Sequence, residues 1–223
     1  MRKFSFAAAV IAAILSGCAS SYRTINPETI SYVKDNGSDV SFEYHHNILV
    51  ESRNKKYHKK EIKKSLQLVA LKITNNSEND LEYNKNYQLY SGDAVLNVLS
   101  NQAVYSQLKQ QAGLHLLYLL LSPMQLYTGS SSGTYSSSNN SISSSSETNS
   151  FPIGLIIGPG IALGNMLVAS SANTKFKAEL DQHCIVNKVI KKGESAFIIV
   201  GLNGTSFQPI SLKMIKKQTL VEK

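Results

Sequence analysis

The chain has 223 residues, a formal net charge of +8 and two cysteines, and 42% of its residues are hydrophobic. This length is enough for one ordinary domain with a hydrophobic core and an appendage. Two cysteines exclude a scaffold that is held together by several disulfides.

The N-terminus has the pattern of an export signal. Arg2 and Lys3 precede an apolar run at residues 4–15, which is too short and wrongly flanked to span a membrane. The tetrapeptide LSGC at residues 15–18 has a branched apolar residue, two small residues and a cysteine, and it resembles the lipobox of bacterial lipoproteins. This resemblance implies cleavage before Cys18, lipidation of its thiol and acylation of the new amino terminus. The alternative is a plain signal peptide that contains a cysteine.

The residues after the lipobox predict a location. Ala19 and Ser20 follow Cys18, so the aspartate that the family uses as an inner-membrane retention signal is absent, as is an acidic surface-export run. We expect an outer-membrane anchor that faces the periplasm, in which each buried CH₂ of the acyl chains contributes about 0.8 kcal/mol. With Cys18 lipidated, Cys184 is the only remaining thiol, and the β pattern beside it predicts a small buried residue.

Segment 53–64, RNKKYHKKEIKK, carries the excess positive charge. Removal of Arg2 and Lys3 lowers the net charge to +6, and this segment alone has a net charge of +6. Its cations are Arg53, Lys55, Lys56, Lys59, Lys60, Lys63 and Lys64. One interpretation is a surface that binds phospholipid headgroups, lipid A phosphates or an acidic envelope protein. The other is a solvated hairpin loop whose lysines protect a sheet edge. The predicted compartment excludes nucleic acid.

Two β-rich regions flank a central region of different character. Strands are predicted at residues 40–50, 66–75, 81–90, 185–190, 195–202 and 209–215. Residues 66–75 alternate between two mainly apolar faces, which favours a central strand. Residues 75–80, NNSEND, have the composition of a turn.

Helical spacing characterises the central region. Apolar residues recur at helical intervals over residues 94–113, and a shorter, more apolar run follows at residues 114–127. Residues 128–150 are mostly serine and asparagine, with too little apolar surface to offset the entropy of ordering, and they predict a flexible linker. Residues 171–181 have the pattern of the amphipathic end of a helix.

The apolar stretch at residues 151–170 fits a membrane span or a buried helix. A span needs about 20 apolar residues, but Pro159 interrupts this stretch and leaves residues 161–169 too short to cross. Small-residue pairs such as Gly160 and Gly164 suit a close helix approach in a bilayer or a tight turn before a buried helix. We expect residues 114–127 and 151–170 to form a helical hairpin that packs against the β region or dips into the membrane. Two true spans are the alternative.

Two further segments, LVALKITNNSENDLEY (68–83) and KKGESAFIIVGL (191–202), resemble small bacterial β-sandwich lipoprotein domains with an immunoglobulin-like fold. The resemblance implies a mainly β fold, an immunoglobulin-like β-sandwich with an inserted α-helical hairpin. The expected organisation is a signal peptide at 1–17, a tether at 18–38, the first half of the sandwich at 39–92, the first helical limb at 93–127, the flexible linker at 128–150, the second helical limb at 151–182, the second half of the sandwich at 183–216 and a tail at 217–223.

The sequence has no recognisable catalytic or metal-binding pattern. His45 and His46 are adjacent on a predicted strand and the other histidines are isolated, so no spacing fits a zinc site. No nucleophile motif or phosphate-binding loop is present. We expect no enzymatic activity, cofactor or metal, and a lipid-anchored binding or envelope-assembly component. The alternative is a membrane-active protein whose apolar hairpin, residues 114–127 and 151–170, inserts into the bilayer or oligomerises. The ligand and the oligomeric state stay open.

Overall fold

The computed structural model of the chain describes residues 18–35, 40–121, 126–129, 148–151, 153–204 and 207–215. The predicted signal peptide, most of the serine-rich linker and the predicted tail lie outside the described residues. The chain divides into two compact units. Unit 1 comprises Met1–Ala19 and Gln111–Ser170, and unit 2 comprises Ser20–Gln110 and Ser171–Lys223.

Unit 2 contains most of the regular structure. Its described strands are β1 (Val33–Asp35), β2 (Val40–His45), β3 (Leu66–Asn75), β4 (Leu81–Glu82), β5 (Tyr87–Ser91), β6 (Ala94–Val95), β7 (Val98–Leu99), β10 (Val189–Ile190), β11 (Ser195–Asn203) and β12 (Ser211–Met214). Its helices are a 3-10 turn (Pro27–Thr29), α1 (Ile48–Glu51), α2 (Lys55–Lys63), α3 (Asn101–Leu108) and the C-terminal part of α4 (Ile153–Gln182).

The main sheet has five antiparallel strands in the order β1-β2-β3-β11-β7. Strand β3 is the predicted central strand, paired with β2 on one side and β11 on the other. Its side chains alternate between two separate cores because successive residues of a strand point to opposite faces. Val69, Leu71 and Ile73 enter one core, and Leu66, Leu68 and Ala70 enter the other.

The two cores are covered by different kinds of structure. The strand core contains Leu81, Tyr87, Leu89, Ile190 and Ile210, from the small sheets β10-β4 and β12-β5-β6 and the chain before β12. The helical core contains Ile48, Tyr57, Val104, Leu108 and Phe176, which come from the four α-helices. Unit 2 is therefore mixed α and β with antiparallel sheets. The expectation of a mainly β fold is correct for the sheets and underestimates the helices.

Several predicted strands are shorter in the structure. The strand predicted at 40–50 ends at His45, and α1 begins at Ile48 after Asn47 takes a left-handed φ of 62°. Asparagine tolerates this conformation better than most residues, so the chain turns there. The strand predicted at 81–90 divides into β4 and β5 for the same reason, with Asn84 at φ 63°. In the segment predicted as a strand at 185–190, only Val189 and Ile190 are extended.

The helix predicted at 94–113 is wrong in its first part. The short strands β6 and β7 occupy its start, and α3 runs only from Asn101 to Leu108. Ser100 begins the helix by accepting a 3.2 Å hydrogen bond from the Ala103 N–H. Most apolar residues before Ser100 belong to these two short edge strands, and over so short a distance their spacing does not distinguish a helix from a strand.

Unit 1 contains a 3-10 helix (Ala112–Leu121), the hairpin of β8 (Leu126–Gly129) and β9 (Thr148–Phe151), and the N-terminal part of α4. Helix α4 continues through Pro159, so the predicted interruption is wrong. The proline ring removes one helical hydrogen bond but does not end the helix. No helix in the described part of the chain combines the length and apolar character that crossing a bilayer requires.

Candidate anionic-surface site

Helix α2 arranges the predicted cations on one side. At 100° per residue, Lys55, Lys56, Lys59, Lys60, Lys63 and Lys64 cover one half of the helix circumference. We call these six residues the lysine face. The segment was expected to be a solvated hairpin loop if it had no partner, and this part of the expectation is wrong because it forms a helix. Arg53 precedes the helix and is exposed.

Tyr57 fixes the opposite side of α2 in the helical core. Its side chain is fully buried, with ring centroids 4.7 Å from Phe176 and 5.2 Å from Tyr22. The hydroxyl donates a 3.1 Å hydrogen bond to Oδ1 of Asn173. Burial raises the pKa of Tyr57 to about 12. The lysine face is therefore carried by a packed helix whose orientation is set from inside unit 2.

Glu61, the single acid of the segment, also lies on the buried side. Its Oε1 accepts a 2.6 Å hydrogen bond from the Leu68 N–H, and its Oε2 lies 2.9 Å from Nδ1 of His58. Burial raises the pKa of Glu61, although both hydrogen bonds oppose this shift. The carboxylate thus joins α2 to β3, and it does not lie among the lysines.

The lysine face has little internal neutralisation. Among the residues that the structure describes, Lys55, Lys59 and Lys63 have no ion-pair partner. Lysines four positions apart repel, at about 0.2–0.5 kcal/mol per pair. Lys55 and Lys56 also place positive charge at the helix N-terminus, which the helix dipole disfavours. Core packing, and not local helix stability, therefore holds these charges together.

Lys109, which the sequence analysis did not select, belongs to the same charged cluster. The Lys60 ammonium donates a hydrogen bond to the Lys109 carbonyl, and the Lys109 ammonium lies 5.6 Å from the ring centroid of Tyr105. Burial lowers the pKa of Lys60, and the neighbouring lysines, Lys64 and Lys109 first, lower it further. An anion bound there would relieve this repulsion. No spacing pattern links two lysines that are 49 positions apart.

The segment predicted as a tether, residues 18–38, is held to unit 2 in its first part. Tyr22 and Ile25 are 6% and 5% exposed, which is unusual for a flexible linker. The Ser20 N–H donates to Oε1 of Gln110 at 3.2 Å, and Nε2 of Gln110 donates to the Ser20 carbonyl at 2.6 Å. We call residues 20–25 the N-terminal segment. Its apolar side chains and paired backbone groups make it part of the helical layer.

Two more residues hold this segment. Asn54, which precedes α2, exchanges hydrogen bonds of 2.9 and 2.7 Å with the backbone of Arg23. The Glu179 carboxylate accepts hydrogen bonds from the Tyr22 hydroxyl and, at 2.7 Å, from the Ile25 N–H. Burial raises the pKa of Tyr22, and Glu179 raises it further, so the hydroxyl stays protonated and remains a donor.

The lipidation candidate precedes Ser20, which begins the N-terminal segment, by two residues along the chain. Ser20 bonds to Gln110, and the preceding residue, Lys109, accepts the hydrogen bond of Lys60. Cys18 is exposed and precedes Ser20 by two residues. Covalent geometry limits the distance between their Cα atoms to about 7 Å. An anchor at Cys18 would therefore leave little slack between the acyl chains and Ser20.

His45, His46 and the second cysteine lie outside α2. Nε2 of His45 is 2.7 Å from Oε1 of Glu51, whereas the His46 ring lies between the rings of Tyr44 and Phe207. Cys184 is only partly buried, so the prediction of a buried thiol is wrong.

Within the described ranges, no group of three or more His, Cys, Asp or Glu side chains is placed to hold a metal ion. Comparisons of this chain with protein-family models, with curated proteins and with solved structures find no match.

Proposed function

We propose that the protein is a lipid-anchored lipoprotein of the cell envelope, attached through Cys18 to the outer membrane and facing the periplasm. In this proposal it is a non-enzymatic binding or envelope-assembly component, and its binding surface is the lysine face with Arg53 and Lys109. The observation that carries the proposal is that Ser20, two residues after Cys18, is hydrogen-bonded to Gln110, whose neighbour Lys109 accepts the hydrogen bond of Lys60. The partner would be an anionic lipid or an acidic envelope protein.

The positive charge of the lysine face and the short link from Cys18 to unit 2 would act together. Cations close to an anionic bilayer each contribute about 1 kcal/mol of attraction, but only within roughly a Debye length of about 8 Å at physiological salt. A long flexible tether would let the domain leave this zone. The bonds of Ser20 and Arg23 remove that freedom and would hold unit 2 near the headgroups.

We also propose that the strands around the strand core form an immunoglobulin-like sandwich. The two segments that carry this resemblance meet in space, which supports the proposal. The Gly193 N–H donates a 2.7 Å hydrogen bond to the Asn75 carbonyl, and the hydroxyl oxygens of Thr74 and Ser195 are 2.7 Å apart.

A second candidate function is the membrane-active protein, in which residues 114–127 and 151–170 insert into the bilayer or oligomerise. The exposure of large apolar side chains in unit 1 favours it, with Leu117 60% and Leu167 69% exposed.

The anchor is tested by the intact mass of the protein purified from membranes. We expect a chain that begins at Cys18 and exceeds the polypeptide mass by two or three acyl groups. A Cys18→Ser variant should retain the signal peptide or be cut elsewhere, without added lipid. An unmodified amino terminus at any position in the wild-type protein would contradict the proposal.

The lysine face is tested by charge reversal in the soluble Cys18→Ser form. Changing Lys55, Lys59, Lys63 and Lys64 to glutamate should abolish salt-sensitive binding to anionic vesicles, because these exposed charges supply the attraction. The unfolding midpoint should change little, since surface substitutions usually shift stability by about 0.5 kcal/mol or less.

The matched control reverses the same number of charges outside α2. Glutamate at Lys34, Lys175, Lys188 and Lys191 gives the same net charge but leaves the lysine face intact, so anionic vesicles should still bind in a sedimentation assay. Equal loss of binding in both variants would show that net charge and not this face determines the interaction. A wild-type protein that does not prefer anionic over neutral vesicles at low salt would reject the lipid-headgroup partner.

A further inference from the structure

Glu179 is a buried carboxylate without a cation beside it. The described residues include three buried acids, Glu43, Glu61 and Glu179. Nζ of Lys72 lies 3.3 Å from Glu43, and Nδ1 of His58 lies 2.9 Å from Glu61. Glu179 has no ion-pair partner in the described part of the chain, and its carboxylate accepts hydrogen bonds from two uncharged donors of the N-terminal segment. Buried charges are normally paired, so Glu179 can take an external cation.

Glu179 lines a cleft of unit 2 with a volume of about 420 Å³. The other wall of this cleft comes from residues 22–28, which the hydrogen bonds of Glu179 to Tyr22 and Ile25 hold in place. Sites for small ligands have volumes of about 300–1,000 Å³, so the cleft is large enough for a small molecule. The wall formed by α4 is one side of its C-terminal part, where the lining residues recur at helical spacing: Lys175, Ala178, Glu179 and Gln182.

The two walls carry opposite charges that are not paired with each other. Glu28 and Lys175 are exposed, and neither forms an ion pair with any residue that the structure describes. Uncharged polar side chains of the lining also lack a hydrogen-bond partner within the described ranges: Thr24, Asn26 and Gln182. Hydroxyl and amide groups both donate and accept, so this lining matches a ligand with a charge at each end and an amide group between them.

His183, which follows α4, adds a hydrogen-bond acceptor to the lining. Its Nδ1 lies 3.1 Å from the Phe197 carbonyl oxygen. A carbonyl oxygen only accepts, so Nδ1 carries the proton and Nε2 is an acceptor in the neutral ring. The acceptors of His183, Glu28 and Glu179 therefore outnumber the one ammonium of the lining, that of Lys175. A matching ligand brings a cation to the carboxylates and an anion to Lys175.

We propose that this cleft binds a zwitterion of dipeptide size, with its ammonium at Glu179 and Glu28 and its carboxylate at Lys175. Each oxygen of Glu179 accepts one hydrogen bond and retains a lone pair for the ligand. Lys175 precedes Glu179 by about 6 Å along the helix axis, and an extended dipeptide spans about 7 Å. The site goes beyond the proposed function, because it uses neither the lipid anchor nor the lysine face.

Lys175 itself is the other cation that could reach Glu179, since it lies one helical turn away. The two arrangements predict opposite results for Lys175→Met. If Lys175 neutralises Glu179, its loss frees the carboxylate and strengthens the binding of any amine. If Lys175 binds the carboxylate of the ligand, its loss weakens the binding of a zwitterion and leaves the binding of a simple amine unchanged.

The experiment titrates the soluble Cys18→Ser form with alanylalanine at millimolar concentrations and follows the amide NMR spectrum. We expect chemical-shift changes that centre on residues 22–28 and 175–183. N-acetylalanylalanine lacks the ammonium and should bind at least about tenfold more weakly, the effect of one lost hydrogen bond to a buried charged group. Alanylalanine amide lacks the carboxylate that the exposed Lys175 would bind, and it should bind about threefold to fivefold more weakly.

Phosphorylethanolamine tests the other source of the same two charges, a zwitterionic lipid headgroup. It has no peptide group for the amide side chains of the cleft, so it should bind more weakly than alanylalanine. Tighter binding of phosphorylethanolamine would overturn the assignment to a peptide.

Lys175→Met should weaken alanylalanine binding about threefold to fivefold and leave the binding of alanylalanine amide unchanged. Lys177→Met is the matched control, because Lys177 lies on the same helix, pairs with Asp181 and does not line the cleft. It should leave both affinities unchanged, and circular dichroism checks that both variants are folded.

Three results would overturn the proposal: no shift changes at the cleft with alanylalanine, equal binding of alanylalanine and its N-acetyl form, or stronger amine binding in Lys175→Met. Equal losses in the two lysine variants would also overturn it, since net charge would then determine the binding. None of these measurements involves a membrane or the lysine face. Failure of the peptide site is therefore distinct from failure of the proposed function.

Discussion

Replacing Glu179 with alanine is expected to lower the free energy of unfolding by about 3–4 kcal/mol and to release the N-terminal segment. The carboxylate is 6% exposed and accepts hydrogen bonds from the Tyr22 hydroxyl and the Ile25 N–H. Alanine would leave both donors buried and unpaired. Each hydrogen bond to a charged group contributes about 1.5–3 kcal/mol, and an unpaired buried donor costs a similar amount.

Urea unfolding measures the loss of stability in Glu179→Ala, and amide hydrogen exchange at residues 20–25 measures the release of the N-terminal segment. Glu179→Gln keeps one carbonyl oxygen for the Ile25 N–H and should lose about half as much stability. Glu28→Ala removes an exposed acid shortly after the N-terminal segment and should change the free energy of unfolding little. Unchanged exchange at Tyr22 and Ile25 in Glu179→Ala would show that Glu179 does not hold the segment.

This release would have a functional consequence under the proposed anchoring. With the N-terminal segment detached, the chain between Cys18 and its first remaining contact with unit 2 becomes longer by several residues, each of up to about 3.5 Å. The lysine face could then move beyond the screening distance of the headgroups. The same substitution should therefore make anionic vesicle binding of the lipidated protein more sensitive to salt.

The elements that the sequence predicts best are those whose own pattern of apolar residues is sufficient to identify them. Strand β3 begins and ends where it was predicted, and β11 differs from the prediction by one residue, because apolar residues occupy both faces along most of each strand and polar residues mark its ends. The helix at residues 171–181 is also confirmed, since Phe176 and Leu180 lie one turn apart and are both buried.

Helix α2 shows why other elements were missed. Charged residues dominate segment 53–64, and the two that face the core, Tyr57 and Glu61, are easily read as part of a polar loop. Their spacing of one helical turn was the available signal, together with the good helix propensity of lysine. For the N-terminal segment no such signal exists. Its partner Glu179 is 154 residues from Ile25, and local patterns carry no information about such contacts.

The turn after β3 has one feature that the local sequence predicts and one that depends on a distant contact. Residues 75–80 were predicted as a turn from composition, and the structure gives Asn75 a larger role. Its side chain is fully buried, and Nδ2 donates 2.9 Å hydrogen bonds to the carbonyls of Asn79 and Ile190. Oδ1 accepts from the N–H and the hydroxyl of Ser77. One side chain therefore holds the turn closed and ties it to a segment 115 positions away.

Asn75→Ala is expected to lower the free energy of unfolding by about 3 kcal/mol. The substitution removes the four hydrogen bonds of the Asn75 side chain. Ile190 is fully buried, so its carbonyl loses this donor in a place that water does not reach. For a chain of this size the melting temperature should fall by about 6–12 °C.

The neighbouring Asn76 gives a matched control, because it is exposed and Asn76→Ala removes the same atoms from the same turn. Its effect should stay within about 0.5 kcal/mol. Asn75→Asp tests the acceptor oxygen and the donor nitrogen of the side chain separately. Aspartate keeps the acceptors for Ser77 but has no donor for Ile190, and it buries a charge, so it should be no more stable than alanine at neutral pH. If Asn75→Ala and Asn76→Ala lowered the melting temperature equally, the buried amide of Asn75 would not be what joins the turn to Ile190.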